Sequence, residues 1–87
     1  IRFNPDDRLG YLNRGYIYMI LNDYELAHAD FDKLLSMDVE DAQAHYYKSY
    51  AFALQGKKRK ACKTFEEAME LGYDQKQVDD LLKNLCK

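Results

Sequence analysis

The sequence predicts an all-α fold: a short stack of two helix–turn–helix repeats followed by a C-terminal capping helix. Three observations lead there. Segments 34 residues apart align without a gap. Apolar residues recur at helical rather than alternating spacing. Asn, Gly and Asp residues punctuate the chain where helices of ordinary length should stop and start.

The repeat is read by setting Asn13–Phe31 above Tyr47–Phe65. Gly15 then matches Ser49, Tyr18 matches Phe52, Asn22 matches Gly56, Ala27 matches Ala61 and Phe31 matches Phe65. Beyond the aligned stretch, Leu35 matches Met69 and Met37 matches Leu71. A period in this range is the signature of stacked supersecondary units, so it is sought before any single element is assigned.

The elements follow in order. Asn4-Pro5-Asp6-Asp7 predicts a helix start, with Asn4 as N-cap, Pro5 at the first helical position and two acids in the first turn. The first helix runs to about Leu21. Asn22-Asp23 breaks it, and Asp23 is placed to cap a second helix over residues 24–37. Asp38 is expected to cap the third, which ends at Gly56, a residue type favoured just past a helix C-terminus. The fourth covers residues 58–71 and stops at Gly72. Asp74 then opens a short helix carrying Val78, Leu81, Leu82 and Leu85 at i, i+3, i+4 and i+7.

GYIYMIL (Gly15–Leu21) is the one stretch that could be something else, because it is rich in β-branched and aromatic residues. Its counterpart SYAFALQ holds two alanines inside an uninterrupted helical pattern from Asp38 to Gln55. A repeat must do the same thing twice, so both are helix. The stretch is also far short of the ~20 apolar residues that span a bilayer.

Bulk composition bounds the function classes. The chain has 87 residues, 47% hydrophobic and 32% charged, with a net charge of −2. That balance gives no electrostatic case for nucleic acid or an anionic membrane. Cys62 and Cys86 are too few for a disulfide scaffold and lack metal-ligand spacing, so free thiols are expected. No targeting segment is visible, which says little for a chain that lacks an initial Met, and a cytoplasmic location is the expectation. The chain begins on Ile1 rather than Met, so its native N-terminus is expected to lie elsewhere.

The period and the residues together resemble the tetratricopeptide repeat (TPR) family, a helical solenoid. The family's pattern of aromatic, small, turn and alanine positions falls on Tyr11, Arg14-Gly15, Tyr18, Asn22, Tyr24, Ala27, Phe31, Leu34 and Val39. In the second unit it falls on His45, Lys48-Ser49, Phe52, Gly56, Lys58, Ala61, Phe65, Ala68 and Tyr73. Two departures stand out: the family's Leu position is charged in both units, and its closing Pro is missing at Val39 and Tyr73. The resemblance implies a TPR-type α-solenoid with one unit at residues 8–41, a second at 42–75 and a capping helix at 76–87. Residues 1–7 become the end of a preceding repeat, with Ile1 and Phe3 as its last apolar positions and Pro5 on its closing Pro. The chain is thus expected to be the C-terminal piece of a longer array, its N-terminal face uncapped and prone to self-association.

Catalysis finds little support. Ser36, Ser49 and Thr64 have no histidine near them in the repeat geometry, and His28 and His45 take packing positions. A metal site built from His28, His45, Cys62 and Cys86 would need accidental convergence, so no metal or cofactor is expected. KKRK (Lys57–Lys60) with Lys63 is a dense basic run, which reads as a solvated turn and helix start rather than a nucleic-acid patch. Residues 22–41 hold seven acids and, among lysines and arginines, only Lys33. Adjacent units therefore carry opposite local charge, which would help copies stack head to tail.

Stacked helical repeats curve, and their concave face is the usual binding surface. The resemblance places that face on each unit's first helix: Leu9, Leu12, Asn13, Tyr16, Met19 and Ile20, then Gln43, Tyr46, Tyr47, Tyr50 and Leu54. This second apolar stripe lies beside the core stripe of Tyr11, Gly15 and Tyr18, so something must cover it. The expected function is a non-catalytic interaction module that binds a partner's peptide segment in a tyrosine-lined groove. The alternative is a structural spacer or oligomerisation segment. The two-carboxylate clamp with which some relatives hold chaperone C-termini is absent, because Leu12, Tyr16 and Tyr47 occupy its positions. RNA-reading helical repeats resemble this pattern superficially, but the net negative charge and unbroken 34-residue spacing argue against that class.

Overall fold

Asn22, Gly56 and Gly72 carry φ values of 64°, 77° and 94°, and these left-handed residues divide the helices. The computed structural model describes residues 7–87. Its helices are α1 (Arg8–Ile20), α2 (Tyr24–Met37), α3 (Ala42–Leu54), α4 (Lys58–Glu70) and α5 (Asp80–Leu85), with a 3-10 turn at Gln75–Gln77. No strand occurs among the described residues.

The ends of α1, α3 and α4 share one hydrogen-bond pattern. Asp23 N–H donates to the Tyr18 carbonyl (2.8 Å) and Asn22 N–H to that of Met19 (3.1 Å). Lys57 to Phe52 with Gly56 to Ala53, and Tyr73 to Ala68 with Gly72 to Met69, repeat it. Each motif satisfies carbonyls that the helix itself leaves open, and it needs one residue in the left-handed region. Gly fills that place twice. Asn, the non-glycine residue that best tolerates it, fills it at Asn22, where its side-chain oxygen also accepts from the Tyr24 hydroxyl at 2.9 Å.

Helix starts differ in part from the sequence expectation. The predicted start at Asn4-Pro5-Asp6 lies outside the described residues. Asp7 is extended rather than helical, and α1 begins at Arg8. Asp38 does not cap α3. Its N–H bonds back to Leu34 as the last turn of α2, and its carboxylate accepts from Glu40 N–H at 3.0 Å. Asp41 is the cap instead, accepting from Ala44 N–H at 3.1 Å while holding both Nε and Nη2 of Arg8 at 2.9 Å. That pair ties the start of α1 to the start of α3.

Two antiparallel pairs, α1 with α2 and α3 with α4, pack side by side through α2 and α3. The small residues sit where helices touch: Ala27, Ala44, Ala51, Ala61 and Ser49 are fully buried. The charged residues at the family's Leu position are accounted for by ion pairs on the neighbouring helix. Arg14 grips the buried Asp30 through Nε at 2.8 Å and Nη2 at 2.6 Å, and Lys48 pairs with Asp32. Pairing with a charge is what lets Asp30 sit only 4% exposed.

The core has two parts. Tyr11, Leu12, Met19, Ala27, Phe31 and Leu34 anchor one, and Tyr46, Ala68, Val78 and Leu82 the other. Tyr47 and Tyr50 are half-buried and pack against both. They join the two units.

The C-terminal segment corrects two expectations. It is not a single helix from Asp74: that residue caps the 3-10 turn, Val78 is extended, and Asp79 caps α5 by accepting from Leu81 N–H at 2.8 Å. Nor are the cysteines free. Cys62 of α4 and Cys86 after α5 form a disulfide, their Cα atoms 5.4 Å apart across a sequence separation of 24. Their spacing along the chain carries no sign of this, because only the return of α5 onto α4 brings them together. No helix among the described residues is long and apolar enough to cross a membrane.

Candidate functional site

Three segments converge on a cavity of about 350 Å³. α1 contributes Tyr16, Met19 and Ile20, which share a face by helical spacing. α3 contributes Tyr46, Tyr50 and Leu54 at four-residue steps, with Tyr47 beside them. The connection after α4 closes the third side with Tyr73, Gln77 and Asp79.

Ring contacts hold the walls. Tyr73 stacks on Tyr46 with centroids 4.0 Å apart and planes 9° from parallel. Tyr47 meets Tyr46 edge-on at 5.5 Å and Tyr16 at 5.7 Å, which joins the two repeat units across the cavity. The Tyr46 hydroxyl accepts from Asp79 N–H at 2.8 Å and so fixes the start of α5 against α3. Such edge and stacked pairs contribute beyond the area they bury.

The cavity is partly shielded from water and electronegative. Burial pushes the Tyr73 phenol up to about 12. Burial also raises Tyr46 and Tyr50; at Tyr46 the hydrogen bond from the Asp79 backbone opposes the rise, while the charge of the Asp79 carboxylate adds to it in both. Among the described residues Asp79 is the single charged one in the lining.

Of the residues expected from the sequence, Tyr16, Met19, Ile20, Tyr46, Tyr47, Tyr50 and Leu54 line this cavity, and Leu9, Leu12, Asn13 and Gln43 do not. Leu12 is 6% exposed and belongs to the core. Gln43 accepts from Arg8 Nη2 at 2.9 Å, beside the Asp41 ion pair. Leu9 and Asn13 are exposed on α1. Met19 and Tyr46 have a double role, since both are almost fully buried. The helical pattern does not reveal Tyr73, Gln77 and Asp79, because they lie on no regular helix face; the one hint is an aromatic directly after the helix-stopping Gly72.

A second cavity, about 260 Å³, opens where α3 and α4 meet and includes His45, Lys48, Phe52, Lys60, Lys63, Thr64 and Glu67. It brings His45 and Thr64 to one place, which repeat geometry did not suggest. The hydroxyl is nevertheless committed: Thr64 donates to the Lys60 carbonyl at 2.7 Å. His45 Nε2 donates to the Val39 carbonyl at 2.9 Å, and its Nδ1 lies 3.4 Å from a Glu67 oxygen. Ser36 and Ser49 likewise donate to backbone carbonyls of their own helices. Among the described residues no group of three or more His, Cys, Asp or Glu side chains could hold a metal.

Comparison with known proteins adds sequence likeness to this geometry. A family model described as "Tetratricopeptide repeat" matches residues 10–40. Human "Tetratricopeptide repeat protein 13" is 35% identical over 74 residues, covering 85% of this chain. The chain spans 8% of the length of that relative.

Proposed function

Because the chain belongs to the tetratricopeptide repeat family, whose members generally serve as protein–protein interaction modules, we propose that it binds a peptide segment of a partner protein in its tyrosine-lined groove. The observation that carries this reading is the convergence of Tyr16, Tyr46, Tyr47, Tyr50 and Tyr73 around one open cavity. Tyrosines offer rigid apolar area with a polar tip, the chemistry enriched at interface hot spots. Tyr16 (44%), Ile20 (60%) and Leu54 (41%) remain exposed at its rim, available to an extended or helical apolar segment.

The spacer reading has one observation in its favour. α1, its C-terminal cap and α2 also leave Ile17, Leu21, Leu26 and Met37 exposed, apolar surface that a neighbouring repeat or a second copy would cover. On that reading the groove contributes nothing. As to location, the Cys62–Cys86 bond favours an oxidising compartment over the cytoplasm, since disulfides persist in the former and are rare in the latter.

Replacing Tyr16 and Tyr50 together by alanine in the intact protein separates the readings. The groove reading expects capture of partner proteins to fall while helical content and melting temperature stay near those of the parent. Unchanged capture would remove the groove from consideration. Self-association that survives the double substitution and is lost with Ile17→Asp would instead identify the spacer face.

A further inference from the structure

Among the described residues the groove joins aromatic surface to one carboxylate and no cation. Asp79 caps α5, and among the described residues its Oδ1 accepts only the Leu81 N–H and no salt bridge engages it. Neither lysine nor arginine appears in the lining among the described residues. Aromatic faces are the negative end of the ring quadrupole, so several of them around a carboxylate make a site whose complement is a cation with an apolar stem. An anionic segment or a chain-terminal carboxylate would meet Asp79 with no positive group in the groove to receive it. A wholly apolar segment would strip water from the carboxylate without replacing its partner.

We propose that the groove takes a peptide segment centred on a lysine or arginine, whose charged head pairs with Asp79 among the rings of Tyr16, Tyr47, Tyr50 and Tyr73. Apolar neighbours of that residue lie against Ile20 and Leu54. This rests on the peptide-groove reading and adds the chemistry of the ligand to it. The surroundings agree: after burial, the charge of Asp79 raises Tyr46 and Tyr50 and that of Asp74 raises Tyr73, and no lysine or arginine among the described residues acts on these phenols. The long stems of Lys and Arg suit such a site, because they bury their methylenes while the head stays solvated or paired.

The test uses the full-length protein and a displayed peptide library with randomised flanks. Its central position is lysine, arginine, norleucine or glutamate. The expected result is enrichment of the lysine and arginine sets, with selected peptides on the order of tenfold tighter than their norleucine versions. Asp79→Asn should erase that difference, and because Asn caps helices as well as Asp does, α5 should remain in place. Added salt should narrow the difference as well. Norleucine peptides binding as tightly as lysine peptides would overturn the cationic ligand and leave the groove standing. Failure of every set to bind would overturn both. If no peptide binds but Asp79→Asn dissolves a self-associated species, the occupant is the basic run Lys57–Lys60 of a second copy, and the peptide proposal is wrong.

Discussion

Gly15 of α1 lies so close to the Phe31 ring of α2 that a Cβ on it would fall 2.6 Å from Phe31 Cε1. Ring and helix approach here more closely than any side chain at position 15 allows. Phe31 is fully buried and stacked near Tyr47, so the ring cannot swing away freely. Elsewhere in a helix, alanine would be favoured over glycine by about 1 kcal/mol. Here the overlap outweighs that gain, and Gly15→Ala should lower stability by about 1–3 kcal/mol. Urea unfolding of the variant checks it; an unchanged or raised midpoint would show that the ring yields.

The same contact shows what the sequence makes legible. Gly15 and Ser49, Ala27 and Ala61, and the left-handed pair Asn22 and Gly56 were found by register alone, because each is dictated by a local requirement repeated in both units. The third side of the groove was not, since Tyr73, Gln77 and Asp79 sit on an irregular connection with no periodic face. The helical spacing of Val78, Leu81, Leu82 and Leu85 was misleading for a related reason. It is compatible with one helix, but Asp79 supplies a competing cap that restarts the helix at Asp80. Asp41 won over Asp38 in the same way, by being the carboxylate next to the first free amides of α3.

His28 should make the protein less stable in mild acid. Its Nε2 donates to Gln55 Oε1 at 2.8 Å, its ring lies on Phe52 at 4.3 Å, and its Nδ1 is buried without a hydrogen-bond partner. Burial therefore lowers its pKa from 6.5, opposed by the Gln55 bond, while Lys48 and Lys57 lower it further and Asp32 raises it. The unfolded chain then binds the proton more readily, so stability is fully present above pH 6.5 and is lost as pH falls through the lower folded-state value. Unfolding midpoints measured across this range for the parent and for His28→Gln should differ in slope, the variant being flatter. Parallel curves would assign the acid sensitivity to other groups.

Tyr73 makes the opposite prediction in base. Its folded-state value of about 12 lies above the ordinary 10.0, because partial burial disfavours the phenolate and the charges of Tyr47, Tyr46 and Asp74 add to that. The unfolded chain gives up the proton first, so stability is intact below pH 10 and declines as pH rises towards 12. Tyrosinate absorbance should therefore rise in two stages, with the late stage removed by Tyr73→Phe. A late stage that persists in the variant would belong to Tyr46 or Tyr50.

Reduction should release the C-terminal helix before the rest of the protein. α5 has six residues, too few for a helix to persist by itself in water. What holds it is the burial of Val78 and Leu82, the Asp79–Tyr46 hydrogen bond and the Cys62–Cys86 disulfide. Closing a loop of this separation contributes about 3 kcal/mol in the chain-entropy treatment, a large increment beside the roughly 0.1 kcal/mol per residue by which folded chains are stable. In Cys62→Ser with Cys86→Ser, hydrogen exchange should quicken across α5 and at Asp79, while the amides of α1 through α4 lose protection later and together. Because Asp79 and Tyr73 form the third wall of the groove, the proposed peptide binding should weaken along with that protection. Unchanged exchange in α5 would mean that Val78 and Leu82 suffice to seat it, and that the groove keeps its shape without the disulfide.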